Sequence, residues 1–206
     1  VVFISFCAFQ TLFYPKGTLV LAFSSIRSTG SDFFFKYITF LGDGLSFIII
    51  TILLLLFIKI RWGIVSLLIY SVSGLLAQFF KKVVFGPLPR PLKYFEANTD
   101  LLPIDGVHNA YVHSFPSGHT TTVFAMFTFI ALLYSGRKGV AVICFIIAVL
   151  TAISRIYLAQ HFVEDVLAGT ILGLVSSSIL YFWLETRQPR FLQKNSLNKP
   201  LLTFNK

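Results

Sequence analysis

Apolar and polar positions divide this chain into long blocks. Six apolar blocks stand out: Val1–Phe13, Leu45–Ile58, Ile64–Phe80, Thr121–Tyr134, Val140–Ile153 and Phe162–Trp183. Several are shorter than the roughly 20 residues that cross a bilayer's hydrocarbon core. Their polar ends, such as Ser117–Thr120 and Arg155, are expected to extend the helices by facing a protein cleft instead of lipid. The pattern predicts an all-α fold, a six-helix transmembrane bundle forming a single domain over 1–206.

The connections alternate in size. Lys59-Ile60-Arg61-Trp62-Gly63 and Ser135-Gly136-Arg137-Lys138-Gly139 are tight and basic, whereas 14–41 and 81–118 are long. The short loops and the tail from Glu185 carry nine Lys+Arg and one acid; the other side carries eight Lys+Arg and seven acids. Setting aside Lys82, Arg90 and Arg155 as candidates for function leaves nine cations against five. The positive-inside rule then puts both termini and the basic tail 186–206 in the cytoplasm, and the long loops outside. Segment 14–41, with Pro15, Gly17 and Gly30 among Phe and Leu, is expected to hold a short amphipathic helix at the membrane interface. Gly169 and Gly173 form a GxxxG in the last block, read as close packing within one bundle and not as a dimer contact.

Composition agrees with a membrane location. Hydrophobic residues make up 56% and charged residues only 12% of the chain, where about a quarter charged is usual in a soluble domain. The net charge of +9 would suggest nucleic acid in a soluble protein, but no basic, aromatic-rich soluble module is present. The excess fits cytoplasmic loops, anionic head groups or a phosphate substrate. Cys7 and Cys144 lie within apolar blocks and read as small buried hydrophobes. Val1 has no preceding Met or basic flank, so the first block is expected to be truncated, and no cleavable signal peptide is evident.

Against this apolar background, a few polar residues stand at block ends, where bare polar groups are costly. His161 and Asp165 are four apart. If the last helix starts near His161 they share a face, and the carboxylate can hold Nδ1–H and leave Nε2 as a nucleophile or base. The ordinary reading is a polar cap, and Glu164 reads as an interfacial charge. Pro116-Ser117-Gly118-His119 precedes the fourth block. A helix starting there presents free N–H groups to an anion, with Ser117 near the cap and Gly118 allowing close approach. The ordinary reading is again a cap with a turn glycine. Lys82, Arg90 and Arg155 belong to the same expected membrane face as both histidines; each alone reads as a snorkelling cation, as Lys81 and Lys93 do.

Together these segments resemble the membrane-bound type 2 phosphatidic acid phosphatases, which share motifs with vanadium haloperoxidases. The family pattern is Lys, six residues, Arg-Pro; then Pro-Ser-Gly-His; then Ser-Arg, five residues, His, three residues, Asp. Pro116–His119 and Ser154–Asp165 match without departure. The first motif departs: seven residues separate Lys82 from Arg90-Pro91, and Lys81 is a possible substitute. The resemblance implies that His161 is the nucleophile, Asp165 its orienting carboxylate, and His119 the general acid and then base. It implies that Lys82, Arg90, Arg155, Ser117 and Gly118 hold the phosphoryl oxygens. It further implies a lipid phosphate substrate, a phosphohistidine intermediate, and no metal or other cofactor. Glu96, Asp100 and Asp105 show no metal-ligand spacing, and His108 and His113 are expected to be solvated loop residues. The expected enzyme is a multi-pass lipid phosphatase of the bacterial inner membrane, its site at the outer membrane-water boundary, facing the periplasm or outside. Phosphatidate, phosphatidylglycerophosphate, undecaprenyl diphosphate and lipid A phosphates remain open as substrates. The alternatives are a lipid phosphotransferase and a non-catalytic lipid-binding protein.

Overall fold

The computed structural model of the protein describes residues 1–96 and 101–202; Asp100 and Lys206, both counted above, lie outside the described residues. All six apolar blocks form helices. They are α1 (Val2–Phe13), α4 (Gly44–Leu53), α5 (Ile60–Phe79), α7 (Gly118–Leu133), α8 (Lys138–Tyr157) and α9 (Val163–Arg187). Between them lie the shorter α2 (Thr18–Ser25), α3 (Thr29–Ile38) and α6 (Pro91–Tyr94). As expected, polar ends lengthen the helices: α7 begins at Gly118 and α8 runs through Arg155 to Tyr157.

Three helices are long and apolar enough to cross a membrane: Ile60–Val84, Lys138–Tyr157 and Val163–Arg187. Thr29–Gly42 and Gly44–Ile58 make a fourth if counted as one span bent by 59°; Val2–Phe13 and Gly118–Leu133 are apolar but shorter. The protein is an integral membrane protein. Its surface shows why: Ile48, Ile49 and Ile52 on α4, Val142, Ile143 and Ile146 on α8, and Ile171, Val175 and Ile179 on α9 are all exposed. In lipid that exposure carries no penalty, so helices associate through close packing of small residues.

Helix α7 lies at the centre, packed on α5, α8 and α9, with Val123, Phe124, Ala125, Met126 and Phe129 buried. Its seam with α9 depends on the two glycines of the GxxxG. A Cβ on Gly169 would stand 2.6 Å from the Ser117 carbonyl oxygen, and one on Gly173 2.5 Å from that of Thr121. The motif therefore packs inside the bundle. Cys7 and Cys144 are buried free thiols.

Segment 14–41 holds two helices rather than one. Ser28 caps α3 in a reciprocal capping box with Ser31, which satisfies two of the free N–H groups of the helix start. A 3₁₀ turn, Thr39–Gly42, then leads into α4, whose N-cap is Asp43. At the opposite end of the bundle the C-terminal segment is tied to the α4–α5 turn. Ile60 N–H donates to Lys199 O (3.0 Å), and Leu201 and Leu202 N–H donate to Leu55 O (3.2 Å) and Leu56 O (3.0 Å). Arg61 pairs with Glu185 there at 2.6 Å. The tight basic turn and the tail thus share one end, and the candidate site occupies the other.

Candidate active site

The C-terminal end of α8 places His161. The helix closes in a Schellman-type cap: Gln160 N–H donates to Arg155 O (2.9 Å) and Ala159 N–H to Ile156 O (3.0 Å). Ala159 takes the left-handed conformation this requires, φ 52°, where glycine is usual. His161 N–H donates to Arg155 O as well (3.1 Å), so the histidine is held against the helix that carries the arginine.

Helix α9 starts two residues later than expected, at Val163 with Phe162 as N-cap. His161 therefore precedes the helix, yet it still meets Asp165: Nδ1 lies 3.3 Å from Oδ2. The same oxygen accepts Phe162 N–H (2.9 Å) and Ser114 Oγ–H (2.5 Å). His161 and Asp165 are both 1% exposed. Burial chiefly, then Arg90, Arg155 and Lys81, push the His161 pKa well below its ordinary 6.5, opposed by a hydrogen bond to the Ser114 backbone.

With Nδ1 turned to Asp165, the rest of the His161 ring borders a cavity of about 520 Å3. Gly118 and His119 line it from the start of α7, Arg155 from α8, Arg90 from the loop and Lys81 from the turn that follows α5. Both arginines are held by neutral groups. Arg90 Nε–H donates to Val112 O (3.1 Å), and Nη1 to Gln160 O and Oε1 (both 3.3 Å). Arg155 Nη1 donates to Thr39 Oγ1 (2.7 Å), while its Nε is buried without a partner.

Three residues lie elsewhere than expected. Lys82 is exposed and does not line the cavity; Lys81 does, and is 8% exposed. The cause is a π turn at Phe80–Val84, closed by Phe85 N–H donating to Phe80 O (2.9 Å). Neighbours on a helix point about 100° apart, and the wider turn shifts which lysine faces inward. The Lys81 Nζ lies 3.9 Å from where a Cβ on Gly118 would stand, beside the free N–H groups of α7. Ser117 is the α7 N-cap as expected, but it is fully buried and outside the cavity lining, its Oγ accepting from Thr120 N–H (3.4 Å) and Oγ1–H (2.9 Å). It positions Gly118 and His119 instead of facing the cavity. Finally His108, expected in solvent, lines the cavity; His113 does not.

Ser114, Thr39 and Gln160 were not singled out from sequence. Each is an ordinary polar residue in a loop or turn, brought to the site only by folding. Among the described residues no three His, Cys, Asp or Glu side chains group to hold a metal ion.

Phosphatidylglycerophosphatase B of Bacillus subtilis is 33% identical over 176 residues, 80% of this chain and 73% of that protein. A lipid A 1-phosphatase of Rhizobium johnstonii is 34% identical over 102 residues, 49% of this chain but only 39% of that enzyme. Among solved structures, a transmembrane PAP2-type phosphatidylglycerolphosphate phosphatase from Bacillus subtilis superposes with a TM-score of 0.69 at 29% identity, covering 92% of this chain and 94% of that one. Aquifex aeolicus LpxE gives 0.65 at 26% identity, covering 80% and 93%. Residues 62–189, which carry every side chain around the cavity contributed by α5, α7, α8 and α9, match the PAP2 superfamily, and the chain belongs to it.

Proposed function

We propose that the protein is a metal-independent lipid phosphate phosphatase working through a phosphohistidine. The chain is a lipid phosphatase, a phosphoric monoester hydrolase of the PAP2 superfamily. The observation that supports the mechanism is the His161–Asp165 contact of 3.3 Å at the wall of a cavity lined also by His119 and four cations, Lys36, Lys81, Arg90 and Arg155.

In this reading His161 Nε2 attacks phosphorus in line. The bond to the lipid oxygen breaks, and His119 gives that oxygen a proton. Water then attacks the phosphohistidine, passing a proton to His119, and inorganic phosphate leaves with His161 restored. Lys81, Arg90, Arg155 and the Gly118 N–H stabilise charge on the phosphoryl oxygens. Ser117 acts through the start of α7. Similarity to phosphatidylglycerophosphatase B over 80% of the chain supports phosphatidylglycerophosphate as the first substrate to try. In the membrane the chain makes six spans, counting the bent pair and the two shorter apolar helices. Both termini are cytoplasmic, and the cleft opens outside the inner membrane.

The decisive experiment is phosphate release by purified protein from a panel of lipid phosphates with excess chelator. Activity is expected to survive chelator and to fall with vanadate, which can become five-coordinate like the transition state. His161→Ala should lose at least about 10³-fold, the scale of removing a member of a catalytic triad. Activity restored only by Mg²⁺, or retained by His161→Ala, would overturn the mechanism. Transfer of phosphate to an added acceptor lipid in place of release would identify a phosphotransferase. Cysteines placed at Lys138 and Val107 test sidedness: only the second should react with an impermeant reagent added to intact cells.

A further inference from the structure

Gln160 stands directly before His161, is 2% exposed and forms part of the cavity wall. A buried amide needs partners for both its oxygen and its nitrogen, and here each end has one. Oε1 accepts from Arg90 Nη1 at 3.3 Å, and Nε2 donates to Asn109 Oδ1 at 2.7 Å. The backbone is engaged as well. The Gln160 carbonyl accepts from the same Nη1 at 3.3 Å, and its N–H donates to Arg155 O at 2.9 Å.

This arrangement controls the charge and the direction of Arg90. A guanidinium can only donate, so it needs oxygens around it to stay in one rotamer. A carboxylate would supply them and also cancel the charge that phosphoryl oxygens require. Val112 O, Gln160 O and Gln160 Oε1 hold Nε and Nη1 through neutral oxygens instead. No ion pair among the described residues includes Arg90. Direction depends on Asn109. A Gln160 amide turned end for end would set its NH2 against the guanidinium donors. By accepting from Nε2, Asn109 fixes which end faces Arg90. The main chain supports the same register: Arg90 N–H donates to Tyr111 O (2.9 Å) and Ser114 N–H to Leu88 O (3.1 Å). The loop that carries Asn109 is thus laced to the segment that carries Arg90.

We propose that Gln160 is a positioning residue of the reaction: its neutral amide, oriented by Asn109, holds the Arg90 guanidinium at full charge for the phosphoryl oxygens. The proposal rests on the reading of Arg90 as a phosphate-binding cation of a lipid phosphatase. Gln160 acts through Arg90 and not on the substrate, because each end of its amide is turned to a protein partner.

The test is a double-variant cycle, with kcat/KM measured on one lipid phosphate in mixed micelles. Gln160→Met, which keeps the length of the side chain and loses the acceptor, and Asn109→Ala are each made in wild type and in Arg90→Ala. Loss of an outer partner typically costs 10–100-fold, so Gln160→Met should lower kcat/KM by about ten-fold and Asn109→Ala by less. In Arg90→Ala neither should cost more than about two-fold, since the group they act through is gone; independent sites would instead lose by the product of the single effects. Gln160→Glu keeps an oxygen but pairs with Arg90, and should lose more than Gln160→Met. Thermal unfolding in detergent follows folding, and if Gln160→Met does not fold, the Asn109→Ala arm decides alone. Losses that multiply in the double variants, or wild-type rates in both single variants, overturn the positioning role. A Gln160→Glu protein as active as wild type overturns the need for a neutral oxygen. Wild-type kcat/KM in Arg90→Ala overturns the role given to Arg90, and absence of phosphate release by the wild type overturns the phosphatase reading, so these failures are told apart.

Discussion

Ser114 Oγ donates to Asp165 Oδ2 at 2.5 Å, and the same carboxylate oxygen faces His161 Nδ1 at 3.3 Å. In the proposed mechanism the serine thus fixes the group that orients the imidazole. Outer partners of this kind typically affect activity 10–100-fold when lost. Ser114→Ala is expected to lower kcat by about ten-fold with little change in KM. Asp165→Asn should lower it far more, by about 10³-fold, because the amide removes the charge and favours the wrong tautomer. A Ser114→Ala defect confined to KM would contradict an orienting role. Steady-state kinetics on one lipid phosphate in mixed micelles decides.

The two adjacent lysines should behave unequally. Lys81 lines the cavity and Lys82 is exposed. Lys81→Ala is expected to lower kcat/KM by about 10²-fold, as for loss of a donor to transition-state charge. Lys82→Ala should stay within about two-fold, as surface substitutions usually do. The reverse order would mean that the π turn does not set the register.

The acid limb of the pH profile tests the surroundings of His161. As the proposed nucleophile, His161 must be neutral, and burial with Arg90, Arg155 and Lys81 holds its pKa well below 6.5. Protonation, and with it loss of activity, should therefore begin only at a pH well below 6.5. Arg90→Ala removes one of the cations that disfavour the imidazolium, so the limb should move to higher pH as well as the overall rate falling. A limb that stays in place in Arg90→Ala would show that the limb belongs to another group. The measurement is log kcat/KM against pH for both proteins.

Glycine substitutions separate packing from propensity. A Cβ on Gly173 would meet the Thr121 carbonyl oxygen at 2.5 Å and Ala125 N at 2.9 Å, whereas one on Gly74 meets nothing within 4 Å. Gly173→Ala should destabilise by about 1–3 kcal/mol through overpacking. Gly74→Ala, in the middle of α5, should stabilise by about 0.5–1 kcal/mol. Thermal unfolding in detergent should lower Tm in the first and raise it in the second.

Much of this was legible before folding was considered. Each of the six apolar blocks lies on helix, three of them on helices long and apolar enough to cross a membrane, because apolar residues need no tertiary context to prefer lipid. The positions of His119, His161 and Asp165 followed from motif spacing. What spacing could not resolve was phase. The π turn at Phe80–Val84 inserts a residue into the helix without any local signal, and it exchanged Lys82 for Lys81. Ser117 is the cap that the sequence predicts, and accepting from Thr120 occupies the oxygen expected to face the cavity. Ser114, Thr39 and Gln160 reach their partners across 51, 116 and 70 residues of sequence. Nothing nearby in the chain marks such pairings.

Arg155 is 6% exposed with its Nε unpartnered, and that has a consequence for turnover. A guanidinium withdrawn from water and given only a hydroxyl is under electrostatic tension until an anion arrives. The released phosphate relieves that tension as well as the substrate does. Ligand at 100 times its Kd stabilises a folded protein by about 2.7 kcal/mol, so millimolar phosphate or vanadate should raise Tm, and Arg155→Met should abolish the increase. In the proposed mechanism, then, the group that receives the substrate phosphate also holds the product, and added phosphate should inhibit in competition with substrate.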